Sequence, residues 1–287
     1  MTDEDGAIDY WCNPFTTDWL TRLYREPSEF EWVASSWSLG TRLNGFTVGA
    51  FREQMAVAGF SRVGIPAMQV YNFVDRHLVW NSRAREIADL VQEAPDLLFG
   101  LFGINPLTKM QGVRDLRRSV HEFGFRGAVV HPHGFGLSPD SREWFPFYAL
   151  CAELEIPVFI LVGHAAEEMP SAPGRPLNLE NIALYFPELR IVGCSGWPWV
   201  TEMISMAWKF PNVYYGTSQF SPKRWPKDLL DFIAGNGRGK VLLGSGFPVL
   251  DHIRMMSDVK ALNFPEPALD ALLHTTAAQV FGWGDDE

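Results

Sequence analysis

The sequence has little cysteine and no long apolar run. Its three cysteines, Cys12, Cys151 and Cys194, form no C-x-x-C pair, which argues against a disulfide framework and favours a reducing cytoplasm. No stretch approaches the roughly 20 apolar residues that cross a bilayer, so we expect no membrane partner. The opening residues MTDEDGAIDYW lack the basic and apolar regions of a secretory signal, so we predict a cytoplasmic protein.

Basic residues are also scarce. The chain has 24 Lys and Arg against 34 Asp and Glu, a formal net charge of −10. Nucleic-acid binding needs a clustered basic surface, so this balance excludes that partner and favours a small-molecule substrate. The 287 residues contain no linker, low-complexity segment or internal repeat, and we predict a single domain over 1–287.

Aromatic residues, in contrast, are abundant. The 11 Trp and 21 Phe exceed what a minimal core needs, and several lie in an irregular insertion over 14–48. Loops of this length inside a compact domain are usually functional. We expect the insertion to be a lid over a binding site or a subunit interface.

Apolar runs alternate with helical patterns along the whole chain. The predicted strands are Ile8–Asn13, Arg62–Pro66, Leu97–Ile104, Arg126–His131, Pro157–Gly163, Leu189–Cys194, Val213–Thr217 and Val241–Gly244. The predicted helices are Val48–Gly59, Ser82–Ala94, Thr108–Gly124, Pro146–Leu154, Leu179–Phe186, Trp199–Phe210, Lys227–Ala234, Asp251–Leu262 and Pro267–Phe281. This alternation predicts a parallel α/β fold, the (β/α)₈ or TIM barrel.

Barrel enzymes carry their chemistry at the C-terminal ends of the strands. The catalytic candidates at those ends are His131, His133, His164 and Cys194, because histidine titrates near neutral pH and a thiol can be a nucleophile. Each also has a structural interpretation, as a backbone-bonded histidine or a buried small hydrophobe. The remaining histidines, His77, His121, His252 and His274, lie away from the strand ends and are interpreted as structural.

Candidate substrate-binding residues surround the same strand ends. Arg175 and Arg224 lie in loops after the fifth and seventh runs, where a guanidinium suits a carboxylate, although either can pair with surface acids instead. The other candidates are polar or aromatic side chains near the strand ends, namely Trp11, Asn13, Ser195, Trp197 and Ser245.

Five segments resemble motifs of one enzyme family. They are IDYWCNP from residue 8, IPVFILVGH from 156, FPELRIVGCSGWPW from 186, NVYYGTS from 212 and KVLLGSGFP from 240. In this order they resemble the amidohydrolase-related (amidohydrolase 2) family of metal-dependent hydrolases and decarboxylases, in the branch of aminocarboxymuconate-semialdehyde decarboxylase. The resemblance implies a TIM barrel and hydrolase or lyase chemistry.

The departures from the family pattern fall on its metal ligands. The resemblance places Trp11 and Asn13 at the paired strand-one histidines, Cys194 at the strand-six histidine and Gly246 at the strand-eight aspartate. The strand-five ligand is Leu161 or, with a shifted alignment, His164. Zinc needs three or four N, S or carboxylate ligands, so we expect no metal and no other cofactor. Gly246 is expected to leave space that the Trp11 indole refills.

Three hypotheses follow. The first is a metal-independent hydrolase or lyase, including a decarboxylase, for a small cyclic or aromatic carboxylate or carbonyl compound. His164 and His133 would be acid and base, Arg175 would hold an anion, and Asn13 and Ser195 would stabilise an oxyanion. The second is an inactive ligand-binding protein or non-catalytic partner subunit, present as a homodimer or as a heteromer with a homologue. The third is a metalloenzyme with ligands rebuilt from Asp9, His131, His133, His164 and Cys194.

Overall fold

A computed structural model describes residues 6–26 and 28–283. Most of the acidic opening segment, residues 1–5, lies outside this range. The strands are β1 Ala7–Asp9, β2 Phe60–Ala67, β3 Gln69–Tyr71, β4 Leu78–Asn81, β5 Leu98–Gly103, β6 Ala128–Val130, β7 Val158–Val162, β8 Ile191–Ser195, β9 Val213–Gly216 and β10 Val241–Leu242.

The α-helices follow the strands. They are α1 Thr17–Leu20, α2 Glu31–Ser36, α3 Val48–Ala58, α4 Ala84–Gln92, α5 Lys109–Phe123, α6 Pro132–Phe135, α7 Phe145–Glu153, α8 Glu180–Tyr185, α9 Val200–Lys209, α10 Lys227–Ala234, α11 His252–Lys260, α12 Glu266–Asp270 and α13 Thr276–Phe281. Local sequence sets many of these bounds. Thr47 accepts a hydrogen bond from the Ala50 amide to begin α3, and Asp251 accepts one from the Arg254 amide to begin α11, as N-cap residues do.

Eight strands form one parallel sheet in the order β1-β2-β5-β6-β7-β8-β9-β10. The Tyr10 amide donates to the Leu243 carbonyl at 3.3 Å and joins the last strand to the first. The predicted TIM barrel is therefore confirmed. Each predicted run corresponds to an observed strand with shifted bounds. The predicted helix Lys227–Ala234 has the observed bounds, whereas the predicted helix Pro267–Phe281 is divided into α12, a π turn over Ala271–Thr275 and α13. The other predicted helices are observed with shifted ends. The first strand ends at Asp9, so Trp11 and Asn13 lie in the loop that follows it.

Tyr10 fills the interior of the barrel. Its ring stacks on Phe159 at 5.3 Å, and its hydroxyl accepts a hydrogen bond from the Ser218 amide. A Cβ at Gly216 would lie 2.3 Å from the Tyr10 hydroxyl, and one at Gly244 would lie 2.6 Å from its ring. Glycine is required at these two strand ends because the tyrosine occupies the space that side chains would need.

Two parts of the fold differ from the sequence prediction. The insertion over 14–48 is not irregular: α1, α2 and short π and 3₁₀ turns occupy much of it. Of its aromatic residues, Phe15, Tyr24 and Phe30 are buried, whereas Trp32 is exposed. An antiparallel hairpin of β3 and β4 follows β2 and was missed, because the alternation in Gln69–Tyr71 is too short to distinguish a strand from a loop. None of the helices in the described part of the chain is long and apolar enough to span a bilayer.

Candidate active site

Asp9, at the end of β1, is the centre of a buried hydrogen-bond network. Its Oδ1 accepts from the amides of Trp11 and Ser245 at 3.0 and 2.9 Å. Its Oδ2 accepts from the Ser245 hydroxyl at 2.5 Å and from His252 Nε2 at 2.9 Å. The network ties the first strand to the last, and it explains why Ser245 faces the core rather than a substrate.

The side chains that the resemblance places at the family's metal-ligand positions do not form a metal site in the described residues. The Trp11 indole N–H donates to Asn13 Oδ1 at 3.0 Å, and neither Leu161 nor Gly246 carries a donor atom. Cys194 is buried, its thiol donates to the Val192 carbonyl, and burial raises its pKa far above the ordinary value. A protonated thiol in the core is neither a metal ligand nor a nucleophile.

Gly246 does not leave the space expected of it. A Cβ there would lie 2.3 Å from Gln219 Cγ, and the residue has φ +54°. The Gln219 side chain has taken the volume that an aspartate at this position would need. The refilling predicted for Trp11 is therefore carried out by Gln219.

Among the described residues, one group brings three possible metal donors within reach of each other, Asp9, Cys12 and His252. It lies in the core, and Asp9 already accepts two hydrogen bonds on each oxygen. An ion would have to replace these bonds, so this group does not fit a metal either. The five residues of the rebuilt-ligand hypothesis do not converge within the described range.

A pocket opens where the strand ends meet the insertion, and we call it the mouth pocket. Its lining comes from the strand ends and their loops, the insertion and the β3–β4 hairpin: Asn13, Tyr24, Phe30, Val33, Trp37, Met68, Val70, Trp80, His131, Leu161, His164, Ala165, Ala166, Glu167, Gln219 and Val249. It contains three predicted site residues, Asn13, His131 and His164. The cavity is small, about 40 Å³, which is space for roughly three waters.

Tyr24 presents a hydroxyl donor to the mouth pocket. Asn13 Oδ1 is held by Trp11, so its Nδ2 points the other way and donates to the Tyr24 hydroxyl at 3.0 Å. That hydroxyl accepts from Asn13, and its own proton has no acceptor among the described residues. Burial raises the Tyr24 pKa, and the nearby Glu167 raises it further, so the proton is retained at neutral pH.

His131 and His133 are both neutral at pH 7. Burial lowers the pKa of each to about 4. His131 Nδ1 accepts from the Gly134 amide at 3.2 Å, which leaves the proton on Nε2. His133 lies behind the lining with its Nε2 donating to the Gly163 carbonyl at 2.9 Å, while its buried Nδ1 has no hydrogen-bond partner.

Of the described residues that line the pocket, Glu167 is the one with a carboxyl group. Burial raises its pKa above the ordinary value, and hydrogen bonds from its own and the Ala166 amide, together with nearby His133, lower it in part. No arginine or lysine lines the mouth pocket in the described part of the chain. A carboxyl group in such a place keeps its proton to a higher pH than an exposed one.

His164 lies at the rim of the mouth pocket. Its ring lies 5.3 and 5.4 Å from the rings of Trp197 and Trp199, and its Nδ1 is 2.6 Å from the Ser171 hydroxyl. The side chain is exposed, so it contacts solvent and pocket together. The ring therefore lies between the pocket and bulk water.

The other predicted site residues lie outside the mouth pocket. Arg175 binds Glu202 with two nitrogens and lies 5.2 Å over the Trp199 ring, so its charge is already paired. Ser245 is bound to Asp9, the Ser195 carbonyl accepts from Tyr215, and Trp197 is exposed. Trp11 is buried behind Asn13, and Cys194 lies in the barrel interior.

Sequence reasoning missed three polar residues of the pocket, Tyr24, Glu167 and Gln219. A signal for Glu167 was present, since it lies three residues after the strand-end His164 in a loop. Tyr24 and Gln219 had none. Tyr24 comes from the insertion, whose path over the barrel is set by tertiary packing. The position of the Gln219 side chain depends on a left-handed backbone conformation with φ +63°.

Comparison with known proteins gives the same fold as the strand order does. The amidohydrolase family matches residues 8–283. An uncharacterised TIM-barrel protein from Bordetella bronchiseptica superposes with a TM-score of 0.74 at 19% identity, over 96% of this chain and 98% of that chain. Among curated proteins, none matches this chain in sequence.

Two decarboxylases are also similar in structure. The 5-carboxyvanillate decarboxylase of Novosphingobium aromaticivorans, solved with bound manganese, has a TM-score of 0.70 at 15% identity, over 98% of this chain and 97% of that chain. The 2,6-dihydroxybenzoate decarboxylase of Rhizobium has a TM-score of 0.66 at 15% identity, over 97% and 99%. The likeness establishes the fold shared with these proteins.

Proposed function

The chain belongs to the amidohydrolase family, and from that premise we propose that it is a metal-independent lyase that removes the carboxyl group of a small aromatic acid. The observation that carries the proposal is the position of Glu167 in the pocket lining, where no arginine or lysine of the described residues lies. Burial there raises the pKa of its carboxyl group. The two decarboxylases of similar fold support the reaction class. The prediction of a hydrolase or lyase family is confirmed by the family match.

The pocket suits a reaction in which negative charge leaves a carboxylate. Tyr24 and His131 offer neutral donors that orient the carboxylate without neutralising it. An ionised carboxylate is costly to bury without a cation, by several kcal/mol. Loss of carbon dioxide moves that charge into the ring, so the apolar walls oppose the bound ground state more than the transition state.

Glu167 supplies the proton. Its carboxylic acid protonates the ring carbon that bears the carboxylate, the bond from that carbon to the carboxylate breaks, and its electron pair returns to the ring as carbon dioxide leaves. Glu167 is then ionised and regains a proton from water through the rim, where His164 lies. The net change is one aromatic carboxylate plus one proton giving one arene and one carbon dioxide.

The insertion acts as the lid in this proposal. A ring the size of benzene needs about 150 Å³, and the mouth pocket offers about 40 Å³. Tyr24, Phe30, Val33 and Trp37 are the insertion's share of the lining, so their movement opens the space. The substrate then enters, and the insertion packs on the bound ring with the pocket wider than in this structure.

The test is carbon dioxide release from hydroxylated benzoates, including 2,6-dihydroxybenzoate and 5-carboxyvanillate, with chelator or with added manganese. We expect turnover that is equal in both, with one deuterium at the vacated carbon when the solvent is D₂O. Glu167→Gln should lower kcat by 10²-fold or more, while the matched exposed neighbour Glu168→Gln stays within twofold. Turnover that requires manganese, or full activity of Glu167→Gln, would refute the mechanism.

An alternative is the non-catalytic ligand-binding or partner subunit, as a homodimer or heteromer. Leu184, Tyr185 and Trp208 are large, exposed and apolar, and Lys209 of the helix that carries Trp208 pairs with Glu180 of the helix that carries the other two. Such a surface suits a subunit contact. Light scattering of the pure chain and of the Trp208→Glu variant tests it, and a monomer with clear turnover excludes it.

A further inference from the structure

A second cavity lies at the opposite end of the barrel, and we call it the base cavity. It is lined by the start of β2 and β5, the ends of α4 and α5, the segment before β6, and Trp283: Arg62, Val91, Gln92, Pro95, Asp96, Leu97, Leu98, Phe99, Phe123, Gly124, Arg126 and Trp283. Its volume is about 170 Å³, which exceeds the roughly 150 Å³ that holds a benzene ring. No part of the proposed reaction uses it.

The lining joins an aromatic wall to two cations. Phe99 lies 5.1 Å from the Trp283 ring, edge to face. The Arg62 guanidinium lies 4.7 Å over the same indole, and Arg126 enters from the segment before β6. Neither arginine forms an ion pair with any residue in the described range.

Among the charged lining residues and the adjacent helix ends, positive charge exceeds negative charge. Asp96 is neutralised by Arg52, whose nitrogens lie 2.6 and 2.7 Å from its oxygens. The C-terminal ends of α4 and α5 contribute about half a negative charge each. Two guanidinium groups outweigh this, so the rim attracts an anion although the whole chain is acidic.

We infer that the base cavity binds a small aromatic monocarboxylate, with the ring among Phe99, Phe123 and Trp283 and the carboxylate between Arg62 and Arg126. A guanidinium binds a carboxylate through paired N–H donors, and an aromatic wall accepts a ring of this size. The inference does not depend on the proposed reaction. Because the site faces the other end of the barrel, its ligand acts as an effector or a stored compound rather than as the substrate.

The probe is 4-fluorobenzoate, observed by ¹⁹F NMR during titration of the full chain. We expect saturable binding that weakens at least tenfold in Arg126→Gln and in Arg62→Gln, while the exposed control Arg142→Gln binds like the wild type. Neutral 4-fluorobenzamide should bind at least tenfold more weakly. Arg126→Gln is the decisive variant, since Arg62 also packs on Trp283 and its loss can affect folding.

Three results would overturn the inference. They are no binding by the wild type at millimolar concentration, equal binding by Arg126→Gln, and binding that appears only in a chain ending at Trp283. The last result would assign the cavity to the chain's own acidic residues that follow. Glu167→Gln should leave the titration unchanged, so failure at the mouth pocket and failure at the base cavity are separable.

Discussion

Replacing Asp9 tests how the barrel is held closed. The carboxylate accepts from two backbone amides and from two side chains. Four residues are involved: Asp9 and Trp11 at the end of the first strand, Ser245 after the last strand, and His252 at the start of α11. In Asp9→Asn the amide oxygen still serves the Trp11 and Ser245 amides, which cannot turn away. The new NH₂ then faces the Ser245 hydroxyl and His252 Nε2.

Both side chains can adapt at a cost. The Ser245 hydroxyl can donate to the Trp11 carbonyl, 3.3 Å away, and His252 can move its proton to Nδ1, which is buried without a partner. We expect about 2 kcal/mol of destabilisation for Asp9→Asn, one charge-assisted hydrogen bond. Asp9→Leu leaves two amides and the imidazole N–H unpaired and should cost about 5 kcal/mol, or prevent folding.

Urea unfolding of both variants measures these free energies. The matched control is Asp89→Asn, an exposed carboxylate paired with Arg85, which should stay within about 0.5 kcal/mol of the wild type. If Asp9→Leu is no less stable than Asp9→Asn, the hydrogen bonds of this network do not hold the strands together. The reasoning about unpaired donors would then be wrong.

Two further predictions concern His133 and Gly246. In the folded protein, burial lowers the pKa of His133 to about 4, below the value of about 6.5 in the unfolded chain. Its contribution to the free energy of unfolding, about 3 kcal/mol, is therefore fully present above pH 6.5 and is lost as the pH falls to 4. His133→Gln should flatten that loss in urea unfolding at pH 7 and 4.5, and an unchanged profile would refute the assignment. Gly246→Ala should cost about 2 kcal/mol more stability than Gly239→Ala in thermal unfolding. Both glycines have positive φ, but only a Cβ at Gly246 would clash with a side chain, that of Gln219. Equal losses would show that Gln219 moves aside without cost.

The sequence was sufficient for the barrel because its strands are buried apolar runs separated by helices, which pair as a parallel sheet covered by helices, and because there are eight of them. It was insufficient for the insertion. There the aromatic residues form short helices whose packing against Trp80 of the hairpin depends on contacts far apart in the chain.

The same limit explains which candidate site residues were misplaced. Arg175 and Ser245 are at strand ends or their loops, as the barrel rule requires, but Glu202 and Asp9 are better partners for them than a ligand. A strand-end position in the sequence predicts which end of the barrel a residue lies at. It does not predict whether a neighbouring side chain already pairs with its charge or its hydrogen-bonding groups.

The mouth pocket is small, and none of the described residues places an arginine or lysine in its lining. A pocket that held a substrate carboxylate by ion pairing would gain its binding energy from charge and could stay open to water. In the proposed reaction the gain comes from burying a ring against Tyr24, Phe30 and Trp80, at about 25 cal/mol per Å² of apolar surface. That gain exists only while the insertion packs on the bound ring. Arg42 of the insertion donates a hydrogen bond to the carbonyl of Val249, which also lines the pocket. The contact that holds the insertion in place is therefore coupled to the binding surface. The same hydrophobic packing that binds the ring excludes the water that would otherwise stabilise its carboxylate.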